Sequence, residues 1–107
     1  MTSQLERDFQ SKKLIPWLKE LFPGCLIMKQ DANYRQGIPD LLVLYRDRWA
    51  FLEVKKSANE PPRPNQPYFV DWARVNSFGA FIYPENAGQV LTDLGEFFAE
   101  ATPPRGE

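Results

Sequence analysis

The sequence predicts an α/β fold in which a mixed central β-sheet of about four strands is flanked by helices. Two nearly continuous apolar runs, at 41–45 and 49–52, are separated by Arg46-Asp47-Arg48, a pattern typical of a hairpin. A further apolar run at 80–83 follows a helical stretch, so its strand returns to the sheet through a crossover. Because strands this apolar need cover on both faces of a sheet, helices must pack above and below it.

The first helix is predicted over residues 3–21. Ser3 and Glu6 have the spacing of a capping box, and apolar residues then recur at helical intervals. Pro16 lies inside this stretch and predicts a kink, since proline has no N–H for the helical hydrogen bond. After the helix, the apolar residues at 25–28 predict a short buried strand.

A second helix is predicted from about residue 66 to residue 77, with Phe69, Trp72 and Ala73 on its inner face. Gly79 is interpreted as the residue that ends this helix before the next strand begins.

The last helix is predicted to begin at Asn86, whose side chain can cap it. Thr102 starts a proline-containing end that we expect to be loose. The chain is therefore interpreted as one domain over residues 1–101 with a loose tail at 102–107. The inner positions of the last helix are apolar: Ala87, Val90, Leu91, Leu94, Phe97 and Phe98.

The composition excludes several classes of enzyme. The 107 residues include no histidine, and Cys25 is the single cysteine. Histidine-based acid–base catalysis, Ser/His and Cys/His nucleophile pairs, zinc sites and internal disulfides are thus excluded. No apolar run approaches the roughly 20 residues that span a bilayer, and the N-terminus does not resemble a signal peptide. We therefore expect a cytoplasmic protein that does not contact a membrane.

The candidate site consists of Asp40, Glu53 and Lys55. Asp40 begins one strand of the hairpin, while Glu53 and Lys55 end the other, so antiparallel pairing brings them together. Glu53 and Lys55 are two residues apart and point to one face of their strand. Asp40 shares that face only if the residue numbers of two paired residues sum to an odd number, as when Asp40 lies opposite Glu53. A two-residue turn gives this register, whereas a symmetric three-residue turn does not.

These side chains suit metal-dependent cleavage of phosphodiester bonds, which needs oxygen ligands for Mg²⁺ and a cation facing the phosphate. Each also has a simpler interpretation. Asp40 follows a proline, which is common in turns, and Glu53 and Lys55 would suit a solvent-exposed strand face. The apolar run at 49–52 that leads into Glu53 argues against exposure.

Charge is distributed unevenly along the chain, whose net charge is −1. Residues 1–75 carry twelve Lys/Arg against nine Asp/Glu, a net charge of +3, whereas residues 76–107 have a net charge of −4. A metal bound to Asp40 and Glu53 would make the first part more basic still. An ordinary mixed surface explains the same distribution.

The motifs resemble those of a known family. Gly37-Ile38-Pro39-Asp40-Leu41, then Leu52-Glu53-Val54-Lys55, then Asn65-Gln66 are similar to the VRR-Nuc branch of the PD-(D/E)XK nucleases, particularly its small stand-alone phage versions. The resemblance extends over about residues 4 to 98 and implies a restriction-endonuclease-like core. The D…ExK pattern alone is weak, but the three motifs in this order are specific.

The resemblance implies roles for five residues. Asp40 and Glu53 would ligate Mg²⁺ or Mn²⁺ together with the backbone carbonyl of Val54. Lys55 would orient or deprotonate the attacking water and offset charge on the phosphate, and Gln66 would assist from the start of the next helix.

Glu6 resembles an acidic residue that the family's first helix often contributes to the metal, although the capping box alone explains it. Further candidates for contact with DNA are loop residues that are also ordinary solvated charges: Lys29, Arg35, Lys56 and Arg63.

The implied function is a metal-dependent DNA endonuclease that leaves 5′-phosphates and selects branched DNA such as four-way junctions. It would act as a homodimer, in a host cytoplasm if phage-encoded. The alternatives are a non-catalytic DNA-binding or regulatory domain that retains a nuclease fold, and an interaction protein in which the motif is coincidental. Aromatic residues that could form a dimer interface or simply pack in the core are Trp17, Trp49, Tyr68, Trp72 and Phe78.

Overall fold

The structure, a computed structural model, describes residues 3–31, 33–61 and 66–105, with the side chain of Gln66 outside this description. The chain begins with a helix whose middle turn is π-helical, and four strands and two further helices follow within the described ranges. The elements are α1 (Gln4–Phe9), the π-helical segment (Gln10–Leu14), α2 (Ile15–Leu21), β1 (Leu26–Lys29), β2 (Leu41–Tyr45), β3 (Arg48–Val54), α3 (Gln66–Asn76), β4 (Phe78–Ile82) and α4 (Ala87–Ala99).

The sheet has the strand order β1-β2-β3-β4. The first three strands are antiparallel neighbours, and β4 runs parallel to β3. A parallel pair needs a crossover connection, which α3 supplies. α2 and α4 pack on one face of the sheet and α3 on the other. The predicted mixed α/β sheet with helices on both faces is confirmed.

The β2–β3 turn has the length that the candidate site requires. Tyr45 pairs with Arg48, which leaves two residues in the turn. The first of them, Arg46, has φ of 56°, a left-handed conformation common in tight hairpins. Paired positions therefore sum to an odd number throughout the hairpin. Continued by one step beyond the strands, this register sets Asp40 opposite Glu53, which is the condition that the candidate site requires.

One face of the sheet forms the core beneath α2 and α4. The rings of Phe22, at the end of α2, and Phe98, in α4, meet edge to face with centroids 5.0 Å apart. Arg48 Nη1 donates a hydrogen bond of 2.8 Å to the Phe97 carbonyl and ties the hairpin to α4. Each buried Leu, Val or Ile side chain here stabilises the fold by roughly 1.5–3 kcal/mol. The sheet contributes Leu41, Val43, Ala50, Leu52, Val54 and Ile82 to this core.

The first helix begins as predicted. Ser3 Oγ accepts a hydrogen bond of 3.1 Å from the Glu6 N–H, and Glu6 Oε1 accepts one of 3.3 Å from the Ser3 N–H. The irregularity expected at Pro16 takes the form of the π-helical segment, which ends two residues before the proline. A widened turn accommodates the missing N–H and the bulk of the proline ring.

The prediction that the first strand is buried is wrong. β1 lies at the edge of the sheet, where Leu26 and Met28 are 64% and 50% exposed. Both side chains point to the face on which α3 packs, but α3 contacts β3 and β4. The apolar run therefore reflects strand formation at an edge rather than burial.

Gly79 does not end a helix, as the sequence had suggested, but lies within β4 and is buried. A Cβ at this position would collide with the carbonyl oxygen of Val70 and lie 2.8 Å from Ala73 Cβ, so glycine lets α3 approach the sheet closely. Val70 and Ala73 form the buried side of α3. Trp72, which was expected there, is 46% exposed.

Asn86 lies at the predicted N-cap position of α4 but does not cap the helix with its side chain. Its Oδ1 accepts a hydrogen bond from the Tyr83 N–H (2.9 Å) and its Nδ2 donates one to the Phe81 carbonyl (3.0 Å). The amide thus closes the β4–α4 loop instead.

The end of the chain is anchored at Thr102, where we expected the loose tail to begin. Its N–H and Oγ1 donate hydrogen bonds of 2.9 and 2.5 Å to the Asp47 carboxylate in the hairpin turn. These bonds hold the pKa of Asp47 below its usual value. No helix among the described residues is long and apolar enough to cross a membrane.

The close approach of α3 predicts that Gly79→Ala lowers the free energy of unfolding by about 1–3 kcal/mol, the usual cost of overpacking a core. Backbone atoms of α3 surround the added methyl group, so no flexible side chain can move away. Chemical denaturation measures the change.

Gly95→Ala is the matched control. Gly95 lies within α4, and an added Cβ there meets no atom within 4 Å. Alanine should stabilise this helix by about 0.5–1 kcal/mol. Similar changes at both positions would contradict the close-packing explanation for Gly79.

Candidate active site

Asp40 and Glu53 meet at the open end of the β2–β3 hairpin. The Asp40 N–H donates a hydrogen bond of 3.1 Å to Glu53 Oε1, and the Val54 N–H donates one of 2.8 Å to Asp40 Oδ2. Each carboxylate therefore accepts a backbone hydrogen bond from the opposite strand. These bonds fix the direction of both side chains before any ligand binds.

Lys55 lies beside Glu53 in a buried environment. Its Nζ is 3.9 Å from Glu53 Oε2, and the two side chains are only 3% and 2% exposed. The Lys55 N–H donates a hydrogen bond of 2.9 Å to the Ile82 carbonyl, which continues the parallel β3–β4 pairing. The alternative of a solvent-exposed strand face is thus excluded. Because burial of charged groups is costly unless they are paired, the contact between Lys55 and Glu53 offsets part of that cost.

The oxygen atoms of this site can surround a hard cation. In a β-strand, the N–H and C=O groups of one residue point toward the same neighbouring strand. Because the Val54 N–H bonds to Asp40, the Val54 carbonyl is directed to the same side. Among the described residues, no three His, Cys, Asp or Glu side chains are close enough to hold a metal together. Among the described residues, the oxygen atoms that come together here belong to two carboxylates and one backbone carbonyl.

Glu6 is almost fully buried, with 2% of its surface exposed. Its carboxylate takes part in the capping box with Ser3. The capping interpretation is thus confirmed, and the role of Glu6 as a metal ligand stays a prediction.

The other candidate residues lie in several places. Lys29 pairs with Leu41 and so points to the sheet face opposite Asp40 and Glu53. Lys56 is exposed directly after the site. Gln66 is the first residue of α3, but its side chain is not described, and Arg63 lies outside the described residues. Their roles stay predictions.

Comparison with solved structures identifies the family. A structure described as a VRR_NUC domain is 31% identical in sequence, superposes with a TM-score of 0.60, and is matched over 89% of this chain and 99% of that one. The chain belongs to the VRR-Nuc family. No family model matches the sequence, and no curated protein matches it either.

The VRR-Nuc assignment confirms the resemblance carried by the sequence motifs and gives the chain a nuclease-family fold. The chemistry, rather than the size of a cavity, locates the candidate site in this fold. A cavity of about 510 Å³ beside β4 and α4 contains none of Asp40, Glu53 and Lys55 in its lining.

Sequence reasoning missed an aromatic pocket next to the site. Phe51 lies two residues before Glu53 on β3 and therefore points to the same face, which is the signal that could have revealed it. The pocket has a volume of about 350 Å³. Its lining residues are Arg35, Ile38, Phe51, Tyr68, Phe69 and Trp72.

The capping box separates two roles of Glu6. Glu6→Gln keeps an acceptor for the Ser3 N–H, so a purely capping role predicts an unchanged melting temperature and unchanged affinity for Mn²⁺ in calorimetry. Ser3→Ala is the control, and loss of its hydroxyl should lower the free energy of unfolding by about 1 kcal/mol. Weaker Mn²⁺ binding by Glu6→Gln at an unchanged melting temperature would make Glu6 a ligand.

Proposed function

We propose that this protein is a metal-dependent endodeoxyribonuclease that hydrolyses phosphodiester bonds and leaves 5′-phosphate ends. The observation that carries the proposal is the pair of carboxylates, Asp40 and Glu53, oriented by backbone N–H groups beside the buried Lys55. Membership of the VRR-Nuc family supports DNA as the substrate.

The donor set fits Mg²⁺, with Mn²⁺ as a substitute. Mg²⁺ prefers oxygen ligands and is commonly bound through one or two carboxylates, with water and substrate phosphates completing its coordination. Asp40, Glu53 and the Val54 carbonyl match that pattern without a third acidic side chain. When bound, the ion would supply Lewis-acid stabilisation of phosphate charge and a lowered pKa for water.

The residues of the chain would divide the remaining work. Lys55 would face the phosphate from its position near Glu53. There its ammonium group would offset the negative charge that develops during cleavage. Glu53 holds the ammonium group nearby, with 3.9 Å between Nζ and Oε2. Gln66, the first residue of α3, would contact the substrate from the start of that helix.

The burial of charge disfavours a non-catalytic role. Apolar residues of similar volume in place of a buried ion pair are often neutral or stabilising, so Glu53 and Lys55 are poor choices for stability alone. A regulatory or purely DNA-binding domain would have no use for two neighbouring carboxylates beside a buried lysine. Catalysis explains why the charges are kept.

The first test measures metal binding and DNA cleavage in the same variants. Asp40→Asn and Glu53→Gln should each abolish calorimetric Mn²⁺ binding and lower kcat/KM on DNA by more than about 100-fold, since even outer-shell partners of a metal contribute about 10–100-fold. Glu20→Gln, at an exposed position on α2, is the charge-matched control and should leave both unchanged. Cleavage that continues in the presence of a chelator would refute the proposal.

We also propose that the substrate is branched DNA and that the protein acts as a homodimer. A 107-residue domain covers little DNA, and two symmetric cuts across a four-way junction require two sites related by a two-fold axis. Trp17, which is 39% exposed on α2, supplies aromatic surface on the side of the sheet opposite α3.

The second test measures assembly and substrate choice together. Sedimentation at micromolar concentration should report twice the chain mass of 12.4 kDa. Competition binding should favour a four-way junction over a linear duplex of equal length. A protein that stays monomeric with and without junction DNA, and that only nicks it, would contradict both parts.

A further inference from the structure

The aromatic pocket lies on the same sheet face as the catalytic carboxylates. Phe51 and Glu53 are alternate residues of β3, so their Cα atoms are about 7 Å apart and their side chains point the same way. Ile38 approaches from the segment that precedes β2, two residues before Asp40. A DNA strand whose phosphate reaches the carboxylates therefore carries a neighbouring nucleotide past the pocket.

The pocket presents ring faces rather than a sealed core. Tyr68 is 63% exposed and Trp72 is 46% exposed. Trp72 stacks on Trp49 with 5.6 Å between ring centroids and 28° between planes. Tyr68 meets Phe69 edge to face at 5.2 Å. Such rigid, accessible aromatic surfaces are what proteins use to stack bases.

One positively charged side chain, that of Arg35, completes the lining of the pocket. The Arg35 guanidinium lies 5.3 Å from the centroid of the Phe69 ring, where it can face a phosphate while it packs on the ring. A volume of about 350 Å³ lies within the usual range for small-molecule sites, about 300–1,000 Å³. A flat aromatic ligand attached to a negatively charged backbone matches both the shape and the charge.

We propose that this pocket binds one unpaired base of the DNA substrate by stacking, next to the phosphate that is cut. The proposal rests on the nuclease function above and narrows its substrate. Bases inside a duplex are already stacked, so only a base at a branch point, a gap or a single-stranded end can enter. The protein would then recognise unpaired nucleotides near the cut rather than a DNA sequence.

Binding without metal isolates this recognition from catalysis. The probes are three DNA duplexes in chelator: one with a single unpaired 2-aminopurine, one with an abasic residue at that position, and one fully paired. The wild-type protein should bind the unpaired base at least about five-fold more tightly than the abasic site, the lower end of the usual stacking contribution. The 2-aminopurine fluorescence, excited beyond tryptophan absorption, should be quenched.

Variants of Tyr68 separate stacking from simple apolar contact. Tyr68→Phe keeps the ring and should keep the preference, whereas Tyr68→Leu keeps apolar bulk and should lose both the preference and the quenching. Tyr34→Leu is the control, because Tyr34 is 86% exposed and does not line this pocket. Thermal melting establishes that each variant is folded.

The outcomes distinguish this proposal from the proposed function. Equal wild-type affinity for the base and the abasic site overturns the pocket, even if the protein cuts DNA with Mn²⁺. Base preference without any Mn²⁺-dependent cleavage supports the pocket and overturns the nuclease. If Tyr68→Leu instead halves the sedimenting mass while base preference persists, the surface is an interface between two copies and the base-binding proposal is wrong.

Discussion

The register of the β2–β3 hairpin is the constraint on which the site depends. Because side chains alternate along a strand, a shift of one residue would send Asp40 and Glu53 to opposite faces of the sheet. The two-residue turn with Arg46 in a left-handed conformation sets the register at one end. The backbone hydrogen bonds to Asp40 Oδ2 and Glu53 Oε1 hold it at the other. The two carboxylates therefore also contribute to the strand pairing that positions them.

This double role has an energetic consequence. Glu53 and Lys55 are each 2% exposed, and removal of one partner from a buried ion pair costs about 3–5 kcal/mol because the other charge stays buried. Asp40→Asn keeps an oxygen that can accept the Val54 N–H bond. Glu53→Gln keeps an acceptor for the Asp40 N–H but removes the carboxylate charge beside the buried Lys55, so it should also destabilise the fold. Truncation of either residue to alanine removes the charge and the acceptor together.

The spacing of residues along the sequence predicted the features that depend on interactions between nearby residues. The capping box and the hairpin follow from residue spacing. The register that brings Asp40 to Glu53 does not, because residues 46–48 fit either a two-residue or a three-residue turn. The errors concern tertiary packing. Gly79 has no feature in the sequence that distinguishes a helix end from a close helix–sheet contact, and the Asn86 amide bonds to the preceding loop rather than to the helix. β1 is apolar yet exposed, because its place at the sheet edge is decided by the other three strands.

The two faces of one sheet divide the work of this small domain. The core uses every second residue of β3, which leaves the alternate positions, from Trp49 through Phe51 to Glu53, for the opposite face. α3 covers that face over β3 and β4, and Gly79 lets it approach closely enough for Phe69 and Phe51 to line the same pocket. A wider helix–sheet separation would open the aromatic pocket while it left the carboxylates unchanged. The aromatic pocket and the carboxylate pair therefore depend on different contacts: the first on helix packing, the second on strand register.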